Sequence, residues 1–144
     1  MLILKILISV CLFCNIANTI ITSNEVTVPP PKVIKEAYTN IAEKNNWVTV
    51  PKGTKEITIF VKAENTETVL FWLIPTGTQT WWERRLIGYA INKEMEKSLH
   101  RPQQFSFTWK IDEPFLHDHL VVELIGMQDV INGGSINISM DDTY

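Results

Sequence analysis

Alternation of apolar and polar side chains is the main pattern of the chain between residues 47 and 140. In residues 56–62, Ile57, Ile59 and Val61 share one side of an extended backbone and polar residues share the other. Residues 105–111 repeat this pattern, whereas residues 68–74 are almost continuously apolar, as in a central strand. The predicted strands are residues 47–50, 56–62, 68–74, 81–89, 105–111, 119–126 and 135–140, after a weaker edge strand within residues 33–43.

Turn sequences separate these strands. Pro51-Lys52-Gly53, Pro75-Thr76-Gly77 and Asn132-Gly133-Gly134 combine the residue types that tight turns require. Short strands and the lack of a long amphipathic segment predict an all-β fold, an antiparallel β-sandwich of about seven strands, with a barrel as the alternative.

The N-terminal segment has a different pattern. One cation, Lys5, precedes an apolar run that contains Cys11 and Cys14, and polar residues follow. This order is typical of an export signal, so we predict a signal peptide over residues 1–22 and a secreted or cell-surface protein. An uncleaved anchor and lipidation of either cysteine are the alternatives.

The remaining chain divides into two parts. Residues 23–46 contain Pro29-Pro30-Pro31, which predicts an extended linker leading into the first edge strand. Residues 47–144 form the sandwich, which has no cysteine for a disulfide and therefore depends on burial of apolar side chains.

The net charge of the chain excludes some classes of binding partner. The chain has a formal net charge of −3, and its basic residues are dispersed. Nucleic acid and anionic membrane surfaces are therefore excluded as expected partners, and contact with a membrane is expected only through residues 1–22 if they are retained.

Several segments resemble a known family. The segments are residues 51–54, Phe71-Trp72-Leu73-Ile74-Pro75-Thr76-Gly77-Thr78, residues 85–88, residues 105–109 and residues 116–120. Together they are similar to the immunoglobulin-like domains of exported and cell-surface bacterial proteins. The resemblance implies an immunoglobulin-like antiparallel β-sandwich that serves as a spacer, display or adhesion module, and it implies no site residues.

The strongest candidate binding residues are Trp81, Trp82, Arg84 and Arg85. Exposed aromatic rings stack on sugars or on partner side chains, and Arg guanidinium groups bind carboxylates. In a strand, Trp82 and Arg84 would share one side, and at least one Trp would then belong to the core. A purely structural role for this cluster is the alternative interpretation.

His117 and His119 are weak candidates for metal ligands. Two histidines separated by one residue project from the same side of a strand, and a third ligand would have to come from His100, Asp112 or Glu123. A polar turn with satisfied histidines is the more ordinary interpretation, so we expect no metal and no cofactor.

We expect no enzymatic activity. The chain contains the residue types of a hydrolytic triad in Ser106, His119 and Asp112. No serine, however, has the glycine context of a nucleophile elbow. The predicted function is recognition of a protein or a cell-surface polymer. Binding of a cell-wall carbohydrate through Trp72, Trp81 or Trp82 is the alternative, and a secreted hydrolase ranks lower.

Overall fold

The computed structural model describes residues 27–77 and 81–141. The predicted signal peptide lies outside these residues. The strands are β1 (Lys32–Thr39), β2 (Trp47–Val50), β3 (Glu56–Glu64), β4 (Thr68–Pro75), β5 (Arg85–Ile91), β6 (Gln103–Lys110), β7 (His117–Ile125) and β8 (Val130–Met140). A 3₁₀ turn (Trp81–Glu83) precedes β5, and a short helix α1 (Met95–Ser98) precedes β6.

The strands form two sheets, which confirms the predicted all-β sandwich. The three-stranded sheet has the order β1-β3-β6, and the five-stranded sheet has the order β2-β8-β7-β4-β5. With β3, β4, β6, β7 and β8 labelled B, C, E, F and G, this is the strand order of an immunoglobulin sandwich, and β5 takes the place of C′. All neighbouring pairs are antiparallel except β2 and β8, which are parallel.

The core lies between the two sheets. Alternate residues of β3 and β6 face alternate residues of β4 and β7, and the β2 and β8 side chains complete the layer. The largest fully buried side chain is Phe71, whose ring stacks on Phe107 of the opposite sheet with centroids 5.4 Å apart. Ile57, Ile59 and Val61 are all fully buried, as their alternation predicts.

The predicted strand over residues 81–89 is wrong in its first part. Trp81–Glu83 form the 3₁₀ turn, and pairing between β4 and β5 stops at Leu73 and Arg85. Strand β4 ends two residues later at Pro75, which has no backbone N–H to donate to a longer β5.

The proline segment is packed against the domain. Pro31 is buried, and the Asn65 side chain donates a hydrogen bond of 3.2 Å to the Pro30 carbonyl. Within the described residues, no helix has the length and apolar character needed to cross a membrane.

Candidate functional site

The outer face of the three-stranded sheet has the composition expected of a surface in water. Its residues on β3 and β6 are mostly polar or charged: Glu56, Thr58, Lys62, Glu64, Gln104, Ser106, Thr108 and Lys110. The exception, Phe60, stacks on Tyr38 with ring centroids 5.2 Å apart, and Lys35 Nζ lies 3.6 Å from the Tyr38 ring centroid. The lysine therefore covers part of the aromatic pair.

The outer face of the five-stranded sheet is different. Val69, Phe71 and Leu73 of β4 point into the core, so the alternate residues Leu70 and Trp72 point outward. The strand register places apolar residues of β5, β7 and β8 beside them. We call this surface the apolar face; its residues are Leu70, Trp72, Leu86, Tyr89, Ile91, Val121, Ile125 and Val130.

The register places the residues of the apolar face in three adjacent rows. One row runs across four strands from Ile91 through Thr68 and Ile125 to Val130. A second row runs from Tyr89 to Leu70, and a third from Leu86 through Trp72 to Val121. Tyr89 and Val130 are each 60% exposed. Sheets with one solvated face normally carry polar residues there, so this face is suited to contact with a partner.

A charged network lies within the apolar face. Trp72 Nε1 donates a 2.7 Å hydrogen bond to Glu123 Oε2, and Arg84 Nη1 donates one of 3.0 Å to Glu123 Oε1. The Arg84 guanidinium carbon also lies 4.2 Å from the Trp72 ring centroid. Both carboxylate oxygens therefore have a donor, and the three side chains hold one another in fixed orientations.

The structure places Trp82, Arg84 and Arg85, three of the four predicted binding residues, in different surroundings. Arg84 belongs to the network on the apolar face, whereas Arg85 forms a salt bridge with Glu113 in the β6–β7 connection. Trp82 is 78% exposed in the 3₁₀ turn. The side chain of Trp81 lies outside the described part of the structure. Trp82 and Arg84 therefore do not share one side of a strand, because both precede β5.

The two candidate metal ligands are both hydrogen-bonded. Nδ1 of His119 lies 2.7 Å from the amide oxygen of Asn137, which can only accept, so this nitrogen carries a proton. Nδ1 of His117 lies 2.5 Å from Thr76 Oγ1, and the His117 ring stacks on Phe115 and is tilted by 42° against Trp47. Across residues 27–77 and 81–141, no group of three or more His, Cys, Asp or Glu side chains could hold a metal ion.

Ser106 and His119 of the candidate hydrolytic triad lie far apart in the fold. Ser106 is exposed on the outer face of the three-stranded sheet, because its neighbours Phe105 and Phe107 point inward. His119 lies on the outer face of the other sheet, where Asn137 is its register partner. The sandwich is about 10 Å thick between sheets, so these two side chains are on opposite sides of the molecule.

Most of the apolar face was missed from the sequence. Leu86, Tyr89, Ile91 and Val130 were not singled out, because single apolar residues on different strands form a patch only when the register is known. One signal was available: residues 69–74 are apolar at outward as well as inward positions. No protein-family model matches the chain, and a search of curated proteins found no significant match.

Proposed function

We propose that this chain is a non-enzymatic recognition module that binds another protein through the apolar face. The observation that supports this most directly is the contrast between the two outer faces of the same sandwich. One outer face is mostly polar, whereas the other carries apolar residues in three adjacent rows on β4, β5 and β7, with Thr68 and Glu123 among them. Burial of such a face in a complex would remove apolar area from water, at about 25 cal/mol per Å².

The network of Trp72, Arg84 and Glu123 gives the proposed face specificity. Aromatic and arginine side chains near the centre of an interface commonly contribute much of its binding energy. Since the network already satisfies its own charges, a partner could cover it without leaving an unpaired charge.

We also propose that the module belongs with the immunoglobulin-like domains of exported bacterial proteins and works at the cell surface or after secretion. The strand order of the two sheets supports the first part, and the pattern of residues 1–22 supports the second.

The decisive experiment is site-specific photo-cross-linking on cells that produce the full chain. Benzoylphenylalanine replaces Tyr89 on the apolar face or, as the matched control, Ser106 on the polar outer face. We expect a discrete adduct with a different protein from position 89 alone. The substitution Val130→Lys, which adds a charge to the same face, should reduce that adduct about tenfold, a loss of about 1.4 kcal/mol.

Two results would contradict the proposal. Adducts of equal yield from positions 89 and 106 would show that contact is not confined to the apolar face. An adduct from position 89 that is unchanged by Val130→Lys would show that the face does not act as one surface.

Carbohydrate binding is the second candidate, and the exposure of Trp82 favours it. A ring that is 78% exposed can stack on a sugar without any rearrangement of the fold. Sedimentation of the protein with purified cell-wall glycan should then decrease with Trp82→Ala and stay unchanged with Phe115→Ala, another exposed aromatic residue. Equal sedimentation of both variants and the parent protein would exclude this function for Trp82.

A further inference from the structure

Strand β5 ends the five-stranded sheet with an open edge. Among the described strands it pairs with β4 alone. The sequence between Leu86 and Ile91 has neither a charge nor a proline, the two features that usually prevent edge pairing.

The other sheet edges are protected. The pairing of β1 with β3 is interrupted by two register shifts, and β1 carries Lys32, Lys35 and Glu36. Strand β2 has only four residues and is followed by Pro51. Strand β6 has polar or charged residues at alternate positions and ends at Lys110. Bulges, charges and short length all oppose pairing at these edges. Strand β5 has one register shift, at Ile87, but residues 88–91 pair regularly with β4 and carry none of these features.

The hydrogen bonds of β5 show which groups face the open edge. The Asn92 N–H donates to the Glu67 carbonyl at 2.7 Å, whereas the Glu67 N–H donates to Ile125 of β7. The bond from Asn92 therefore flanks Ile91 and Thr68, which form a non-hydrogen-bonded pair of the antiparallel ladder. Non-hydrogen-bonded and hydrogen-bonded pairs alternate along an antiparallel ladder, so Ala90 and its partner Val69 form a hydrogen-bonded pair. The N–H and C=O groups of Tyr89 and Ile91 therefore point away from β4, toward the open edge.

We propose that two copies of this chain pair edge to edge through antiparallel β5 strands, with the two-fold axis at Ala90. Tyr89 of each copy then lies opposite Ile91 of the other, and each of these pairs exchanges both N–H···O=C bonds. An aromatic residue opposite a β-branched one is a favourable cross-strand pair. Because the paired segment is uncharged, the two-fold arrangement brings no like charges together.

Edge pairing would join the two apolar faces into one continuous surface. Tyr89 and Ile91 point outward on that face, so the faces of the two copies would meet along the new pair of strands. The inference does not depend on the proposed function, because pairing uses the main chain of β5, whereas partner binding uses the side chains of the whole face.

The first test is disulfide cross-linking at the two-fold axis. Residues opposite each other in a non-hydrogen-bonded pair have Cα atoms about 4.5 Å apart, which is within the range for a disulfide. Ala90→Cys is produced in the full chain with Cys11→Ser and Cys14→Ser, and cells are treated with a mild oxidant. We expect a covalent species of twice the chain mass on a non-reducing gel, and none from the control Ser106→Cys.

The second test compares Ile91→Pro with Ile91→Ala. Both substitutions remove the isoleucine side chain, but only proline also removes the backbone N–H that faces the open edge. Proline is tolerated at edge-strand positions whose N–H faces away from the sheet. Introduced beside Ala90→Cys, Ile91→Pro should reduce the covalent dimer about tenfold more than Ile91→Ala, a difference of about 1.4 kcal/mol. Thermal unfolding of each variant shows that it is folded.

Three outcomes would overturn the inference: no dimer from Ala90→Cys, an equal dimer from Ser106→Cys, or equal effects of the two Ile91 substitutions. If Ala90→Cys does not fold, sedimentation measures the dimer fraction of Ile91→Pro and Ile91→Ala in the otherwise unchanged chain. The proline variant should form less dimer than the alanine variant, and equal dimer fractions would contradict edge pairing. A dimer with no adduct to another protein from position 89 would support edge pairing and contradict the proposed function. An adduct to another protein from position 89 without a dimer would support the proposed function and contradict edge pairing.

Discussion

Asn65 connects three segments that are distant in sequence. It is a buried residue with φ of 54°, in the left-handed region that Asn tolerates better than most residues. Its Nδ2 donates to the Pro30 carbonyl, and its Oδ1 accepts a 2.8 Å bond from the His100 N–H. One side chain therefore attaches both the proline segment and the α1–β6 connection to the β3–β4 turn.

Asn65→Ala should lower the free energy of unfolding by about 2 kcal/mol, because two hydrogen bonds are lost and Ala is less favourable at positive φ. The matched control is Asn46→Ala, at an exposed position with φ of 63°. It should show the conformational cost alone, about 1 kcal/mol. Urea unfolding measures both, and equal losses would mean that the Asn65 hydrogen bonds add nothing.

At the scale of elements, the contact between β5 and β6 closes one side of the sandwich. A Cβ atom placed on Gly88 would lie 2.2 Å from the Phe107 ring, so only glycine lets the two strands approach this closely. The Phe107 ring lies between Gly88 and Phe71 and links the two sheets.

Gly88→Ala should destabilise the fold by about 1 to 3 kcal/mol, because the added methyl group overpacks a rigid aromatic contact. The control is the same substitution in a Phe107→Leu background, where a smaller side chain leaves room. In the double-mutant cycle, Gly88→Ala should lower the free energy of unfolding less in the Phe107→Leu background than in the parent protein. A penalty that is identical in both backgrounds would mean that the ring is not what the methyl group meets.

The sequence predicted some elements better than others. The strands β3 and β6 follow from strict alternation, since one side of each faces the core and the other faces water. Strand β4 was predicted as central from its apolar run, but its outward residues Leu70 and Trp72 belong to the apolar face. Trp82 was misplaced on a strand because a local β-propensity cannot show where the partner strand ends.

The candidate site was harder to predict than the fold. Arg84 and Arg85 are adjacent in sequence but bind Glu123 and Glu113, which lie on different parts of the molecule. The network also requires Trp72 and Glu123 to be close, and these residues are on neighbouring strands whose register no local pattern specifies.

At the scale of the whole molecule, the sandwich has two unlike outer faces. Stability depends mainly on the residues between the sheets, whereas the exposed side chains of the apolar face contribute little to it. Substitutions at the exposed positions of this face should therefore change association properties and leave folding nearly unchanged.

The double substitution Ile91→Lys and Val130→Lys should change the free energy of unfolding by no more than about 0.5 kcal/mol, because both side chains are exposed. It should also raise solubility in ammonium sulfate and lower the binding of a hydrophobic fluorescent dye. Ser106→Lys is the control for added charge. Equal gains in solubility from this control would show that net charge, and not the apolar face, determines the behaviour.

The parallel pairing of β2 with β8 has a mechanical consequence. The described chain enters β1 at the end of the sandwich where Lys32 lies opposite Glu64, and β8 ends at Met140, beside Val50 at the other end. Tension applied through residues before β1 and after β8 would pull β2 and β8 in opposite directions along their length. The hydrogen bonds between them would then bear the load together in shear, so a tethered copy of this domain would resist stretching before it unravelled.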